Sequence, residues 1–331
     1  MKAEKNAVGL DIGTSRIVSV KRVGEKDQTS AQLNAFVTLP YSKLTAGVFE
    51  KEGVPYVVEG DDLVVYGNEA ARFANLFNRE MRRPMTKGVL NAGEPGGAAM
   101  IRRLITSVLG EDGGHGSRIC FSVPGAPADA PDDLTYHEKT LRQMLSSMGY
   151  EVSSINEGLA VVLAELESTN YTGVGVSFGG GMCNVCMAYL SVPVFSFSVS
   201  KAGDFIDSSA ASVANESVTR IRTIKEQSFH FNGYFGDQAK QALAVYYDEV
   251  IRLVVAELKK AITETRQPAS IGRPVPLVIS GGSSLPSGFV DHFTASLNEA
   301  KPGIDFSEIR AAADPLNATA KGALVAALAG I

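Results

Sequence analysis

One pattern occurs twice in this chain, and it constrains the fold more than any other. Residues 8–23 read VGLDIGTSRIVSVKRV: an apolar run, a turn at residues 11–15, then a second apolar run. Residues 174–190 read VGVSFGGGMCNVCMAYL, with the turn at Gly179, Gly180 and Gly181. Each is the signature of a β-hairpin closed by a sterically open turn. Two copies about half a chain apart predict a duplicated domain. If the turns face each other across a cleft, their backbone N–H groups can grip a phosphate chain from both sides. A third glycine turn ends a buried strand in residues 276–287, PLVISGGSSLPS, at Gly281 and Gly282.

A chain of 331 residues is long enough for two domains with substantial cores. A net charge of -5, with no run of lysine and arginine to offset it, argues against non-specific nucleic-acid binding. No stretch reaches the roughly 18–20 apolar residues of a membrane span. The first hairpin begins so close to Met1 that no signal peptide is expected ahead of it. The cysteines, Cys120, Cys183 and Cys186, form no disulfide framework. Together these features predict a cytoplasmic protein. Cys183 and Cys186 form a CxxC, but positions three apart on a strand face opposite sides, so they read as small apolar residues. His115, His137, His230 and His292 show no ligand spacing. Residues 110–117, GEDGGHGS, lack the Gly-Lys-Ser/Thr of a P-loop and read as a surface turn.

Between the repeats, α and β signals alternate. Residues 31–67 carry short extended runs and read as strands of a small β-rich insertion, and residues 68–80 turn helical. Residues 97–109 place Met100, Ile101, Leu104, Ile105 and Val108 on one helical face. A strand starting at Arg118, a helix over 134–148 and a short strand VSSIN follow. The second half repeats the plan with a helical insertion, over 205–229 and 236–265. The latter stretch carries Leu243, Tyr247, Val250, Val254, Leu258 and Ile262 at three- and four-residue spacing.

Two phosphate-type turns followed by a Gly-Gly turn resemble the superfamily of actin, heat-shock chaperone and sugar kinase ATPases, and more of the chain is similar to the bacterial actin MreB family. RRPMTKGVLNAGE, residues 82–94, resembles "RPLKDGVI". INEGLAVVLAE, residues 155–165, resembles the connecting helix "IEEPMAAAIG". Residues 201–227 resemble "GGDxxDxxI" followed by "ERIK", and ATAKGALVAAL, residues 318–328, resembles the closing helix. The resemblance covers nearly the whole chain in order. It implies an α/β, actin-like fold of two duplicated core domains, each with an inserted subdomain and a nucleotide cleft between them. The first domain would be residues 1–157 with 315–331, with a small β subdomain over about 31–78. The second would be 158–314, with a helical subdomain over about 201–264.

The resemblance also assigns roles. ATP or ADP with Mg²⁺ would sit in the cleft. Gly13, Thr14 and Ser15 would bind phosphate from one side, and Gly179, Gly180 and Gly181 from the other. Gly281, Gly282 and Ser283 would flank the adenine. Asp11 would hold a water of the Mg²⁺ shell and act in catalysis, since Mg²⁺ keeps several of its waters. Its plainer reading is a turn residue. Glu157 would orient the attacking water, and as a carboxylate at a helix start it also suits the macrodipole. Gly158 stands where the family commonly has proline, which is expected to loosen the hinge. Arg16 reads as an exposed arginine.

The second turn departs from the family's "DxGGGTTD". Ser177 and Asn184 replace its aspartates, so the magnesium site is weakened. Met182 places an apolar side chain beside the phosphates. Lys225 matches the family's lysine near the nucleoside, whereas Arg222 stands in place of glutamate. The expected function is a filament-forming, nucleotide-binding actin homologue of cytoskeletal or cell-shape type, at most a slow ATPase. The alternative is a non-polymerising pseudo-ATPase scaffold of the same fold. Partners would be further copies of the chain and other cytoskeletal or membrane-associated proteins, with no nucleic acid. Membrane contact at the inner face would fall to residues 44–49 or 73–77.

Overall fold

The computed structural model describes residues 6–24, 26–110, 114, 116–128, 134–231, 233–265 and 274–331. Residues 111–113 and 115 of the 110–117 turn therefore lie outside the described residues. The duplication predicted from the hairpins is present strand for strand. The first sheet comprises β1 (Ala7–Ile12), β2 (Arg16–Val23) and β3 (Lys26–Leu33) as an antiparallel meander, then β9 (Arg118–Val123) and β10 (Glu151–Asn156) parallel to β1, in order β10-β9-β1-β2-β3. The second repeats it with β11 (Gly173–Phe178), β12 (Cys183–Tyr189), β13 (Val192–Val199), β14 (Val275–Ser280) and β15 (Phe306–Ala311), in order β13-β12-β11-β14-β15.

The crossover helices correspond as well. α3 (Gly97–Leu109) and α4 (Thr135–Ser147) serve the first sheet; α8 (Gln238–Glu264) and α9 (Phe289–Ala300) serve the second. The periodic positions read from sequence are the buried faces of α3 and α8. Between β3 and α3 lies a three-stranded sheet of β4 (Phe36–Pro40), β5 (Tyr56–Glu59) and β6 (Asp62–Tyr66), with α1 (Lys43–Glu52), α2 (Asn68–Leu76) and the short pair β7 (Met85–Thr86) and β8 (Val89–Leu90). Residues 31–33 belong to β3 of the main sheet. The stretch read as all strands also contains α1, started by Ser42, whose hydroxyl accepts from the Thr45 N–H. Between β13 and α8 lie α6 (Gly203–Ala214) and α7 (Val218–Gln227). The helix read as continuous breaks at Asn215, which takes a left-handed conformation, and Ser217 caps the second piece.

Each sheet ends in a helix that crosses to the other. α5 (Glu157–Glu165) leaves β10 of the first sheet and packs on β11 and β12 of the second. α10 (Ala318–Ala329) follows the second sheet and packs on β1 and β9 of the first. The two helices also pack on each other. α10 is apolar nearly all round and built of small residues, as a helix enclosed on every side must be. At the crossing, a Cβ on Gly322 would fall 1.8 Å from the Ala160 carbonyl oxygen. Gly158 is set by the same demand: a Cβ there would lie 2.6 Å from the backbone nitrogen of Cys186. The residue expected to loosen the hinge instead lets α5 seat tightly on the second sheet.

Candidate functional site

The three glycine turns lie at the carboxyl ends of β1, β11 and β14, where ligand sites of α/β folds form. The two repeated turns close in the same way. Gly13 N–H donates to the Arg16 carbonyl at 2.9 Å, and Gly179 N–H to the Met182 carbonyl at 3.0 Å. The N–H groups of Thr14, Ser15, Gly180 and Gly181 have no acceptor among the described residues. The turns meet face to face. A Cβ built on Gly180 would lie 2.2 Å from Ser15 Oγ, and one on Gly181 would lie 2.2 Å from Thr14 Oγ1. Thr14 is buried and its hydroxyl accepts from Gly88 N–H at 2.9 Å. Asn34 steadies the first turn by donating to the Gly13 carbonyl at 2.9 Å.

The third turn joins the second. The Ser283 hydroxyl donates to the Gly179 carbonyl at 2.8 Å, and Gly281 N–H donates to the Pro315 carbonyl. Gly282 lies beside Leu316. Thus Gly13, Thr14, Ser15, Gly179, Gly180, Gly181, Gly281, Gly282 and Ser283 are gathered where the three turns meet. Lys225 lies at the same end of the second unit. Its ammonium is 2.7 Å from the carboxylate of Asp207, and both side chains are buried.

Two carboxyls lie near each other at the end of β1 and the start of α5. Asp11, near the end of β1, accepts from the Ser122 hydroxyl at 2.6 Å. Glu157 is fixed as the first residue of α5 by its neighbour Asn156, whose side chain caps the helix by accepting from Leu159 N–H. Both keep a sliver of solvent contact yet lie deep in the molecule. Burial raises both carboxyls above the usual range, and the nearby Asp11 charge raises Glu157 further. A carboxyl raised in this way holds its proton near pH 7 and, once ionised, is a stronger base than an exposed carboxylate.

Ser177 and Asn184, read from sequence as lost acidic ligands, are cross-strand partners on β11 and β12. Both serve Glu157. The Asn184 amide donates to Glu157 Oε2 at 2.9 Å while its carbonyl accepts from Gly125 N–H at 2.8 Å, and Ser177 also hydrogen-bonds the Glu157 carboxyl. Met182 does not face an open phosphate site. It is buried, with its sulfur accepting from the Ser198 hydroxyl at 3.5 Å, and a Cβ on Gly88 would lie 2.8 Å from that sulfur. Arg16 is half-buried rather than exposed, and its Nε lies buried with no partner among the described residues.

Sequence reasoning missed Arg83, Asp204 and Asp207. Arg83 Nη1 lies 2.8 and 2.9 Å from the Asp204 oxygens, joining the two halves across the cleft. Arg222 contacts Asp207 at 3.0 Å and Asp204 at 3.3 Å. The available signal was the pair of aspartates in GDFID facing two cations one helix later.

The donor set fits a phosphate chain: four backbone N–H groups with no acceptor among the described residues, and the hydroxyls of Thr14 and Ser15. Among the described residues no group of three or more acidic, histidine or cysteine side chains is arranged to hold a metal, so a hydrated cation here would rest on Asp11 through its water shell. Cys183 and Cys186 are both buried on β12. Of the segments considered for membrane contact, Phe49 and Phe73 are core residues, while Leu44, Leu76 and Phe77 are exposed. No described helix is long and apolar enough to cross a membrane.

A family model described as Volactin matches residues 6–327. No curated protein matches the chain. Among solved structures, the fold is similar to that of the MamK double helical filament, with 18% identity and a TM-score of 0.72 over 96% of this chain and 97% of that one. It is similar to MreB5 of Spiroplasma citri bound to ADP, with 14% identity and a TM-score of 0.69 over 97% and 96%. It is also similar to the ethanolamine utilization protein EutJ from Carboxydothermus hydrogenoformans, with 17% identity and a TM-score of 0.55 over 97% and 89%. These likenesses establish an actin-like fold.

Proposed function

The chain belongs to the Volactin family, within the actin-like ATPase superfamily, and from that premise we propose that it is a nucleotide-binding subunit that assembles into filaments. The observation that carries the reading is the pair of matching turns, Gly13 to Arg16 and Gly179 to Met182, meeting with N–H groups that have no acceptor among the described residues. In this reading residues 1–157 with 315–331 form one lobe and 158–314 the other. ATP or ADP lies between them, held by the two turns, with Gly281, Gly282 and Ser283 at the base. The Mg²⁺ that accompanies the nucleotide supplies charge neutralisation on the phosphates. Asp11 would hold a water of its shell, and Glu157, once ionised, would accept a proton from the attacking water. Hydrolysis is slow, because Ser177 and Asn184 offer no charge to a cation.

Two neighbours support the reading by what they are: the MamK double helical filament, and MreB5 bound to ADP. Open head-to-tail contacts produce filaments when the rotation does not close. The alternative, a pseudo-ATPase scaffold that does not polymerise, draws on Ser177 and Asn184. Two measurements separate these readings. Saturating ATP or ADP with magnesium should raise the melting temperature. Micromolar protein should sediment and form filaments under the electron microscope. No thermal shift with either nucleotide removes the nucleotide site, and a chain that stays monomeric with ATP, with ADP and alone removes the filament.

A further inference from the structure

The cation cluster at the cleft holds two aspartates in different states. Asp207 is 1% exposed, with Lys225 at 2.7 Å and Arg222 at 3.0 Å, so it is locked within the second unit. Asp204 is 35% exposed. Its carboxylate sits between Arg83, which comes from the first unit, and Arg222, which comes from the second. The same Arg83 nitrogen lies 3.3 Å from the Ser15 hydroxyl of the first turn. Asp204 is tied to the second turn, its own N–H donating to the Gly180 carbonyl at 2.7 Å. One carboxylate thus stands where the two turns meet, held by two guanidinium groups beside a hydroxyl. That is the environment a phosphate oxygen recruits.

We propose that Asp204 is a built-in competitor for the phosphate chain, its carboxylate occupying Arg83 and Arg222 and holding the cleft shut until an entering polyphosphate takes the arginines from it. The inference rests on the nucleotide reading above and adds Arg83 and Arg222 to the phosphate-binding set.

Asp204 and Arg83 make opposite predictions once the latch is broken. Removing either charge opens the nucleotide-free cleft. Removing Asp204 frees the arginines for ligand, whereas removing Arg83 deletes one. The full chain, with spin labels on Val58→Cys and Val213→Cys in the two inserted subdomains, reports opening as an inter-label distance; the native cysteines are buried. ADP is titrated calorimetrically into the parent, Asp204→Asn and Arg83→Gln. Without nucleotide, both variants should show longer and broader distances than the parent. Asp204→Asn should bind ADP about tenfold more tightly and Arg83→Gln about tenfold more weakly. Unchanged distances in both variants would overturn the latch. ADP affinity that falls or stays level in Asp204→Asn, while the parent binds, would overturn the competition. If no form binds ADP, the nucleotide reading itself fails and the competitor role falls with it, while the distances alone decide the latch.

Discussion

Replacing Glu157 with glutamine should stabilise the nucleotide-free protein, and only at high pH. Glutamine keeps the shape of the side chain and an oxygen to accept the Asn184 amide, now at 2.9 Å from Glu157 Oε2. It removes the proton equilibrium. Burial, and then the Asp11 charge, push the Glu157 carboxyl from 4.5 up to about 8. The folded chain therefore binds this proton more tightly than the unfolded chain, and stability falls as pH rises. The contribution is intact below about pH 4.5 and is lost as pH passes about 8. Full ionisation over that span would cost about 5 kcal/mol. The solvent contact at the cleft floor screens the charge and brings the expected effect to about 2–3 kcal/mol. Loss of a negative charge from the first turn of α5 subtracts about 0.5 kcal/mol.

Urea unfolding of parent and Glu157→Gln at pH 5 and pH 8.5, without nucleotide or divalent cation, measures the difference. The two proteins should be nearly equal at pH 5, with the variant about 2 kcal/mol more stable at pH 8.5. A variant that is less stable than the parent by the same amount at both pH values would refute the reasoning. It would mean that Glu157 ionises freely and that its hydrogen bonds, rather than its charge, dominate.

Two further substitutions test the packing that shapes the cleft. Gly322→Ala should lose about 3 kcal/mol in urea unfolding, the upper range for overpacking, because the added carbon meets the Ala160 backbone rather than a side chain that can turn away; a loss below about 0.5 kcal/mol would show that the α5–α10 crossing yields easily. Thr14→Val should cost about 1–2 kcal/mol by stranding the buried Gly88 N–H, and a neutral result would mean water replaces the hydroxyl.

The sequence made the duplicated architecture legible because both determinants are local. Glycine turns between apolar runs mark the two hairpins, and three- and four-residue spacing marks the buried faces of α3 and α8. The helix α1 was hidden in residues 31–67, where its one fully buried side chain, Phe49, gives too little periodicity to outweigh the flanking strands. The residues that gather at the cleft were also legible, since their motifs occur in order along the chain. What each side chain touches was not. Arg83 and Asp204 are 121 residues apart and lie in different halves, so their pairing depends on how the two halves close. Gly158 read as flexibility because close backbone approach to a strand of the other half leaves no trace in sequence.

The exchange of acidic residues for Ser177 and Asn184 is best understood as one change. The two residues are cross-strand partners and both direct a hydrogen bond to Glu157. Aspartates at both positions would bring two further carboxylates against one already raised by burial and by Asp11. At an effective dielectric of about 20, each ionised pair at contact distance repels by on the order of 4 kcal/mol. A bound divalent cation offsets that repulsion, and without one the neutral pair is the stable choice. The double variant Ser177→Asp with Asn184→Asp should therefore lose about 2–4 kcal/mol of nucleotide-free stability at pH 8, because protonation of the cluster relieves part of the repulsion. The loss should shrink toward pH 5. With magnesium and ATP present, the same variant should release phosphate faster than the parent, since the added charge positions the metal. Urea unfolding at the two pH values reads the first effect and a phosphate-release assay reads the second. A double variant that is destabilised equally at both pH values, or that turns over no faster than the parent, would show that Ser177 and Asn184 do not stand in for metal-balancing carboxylates.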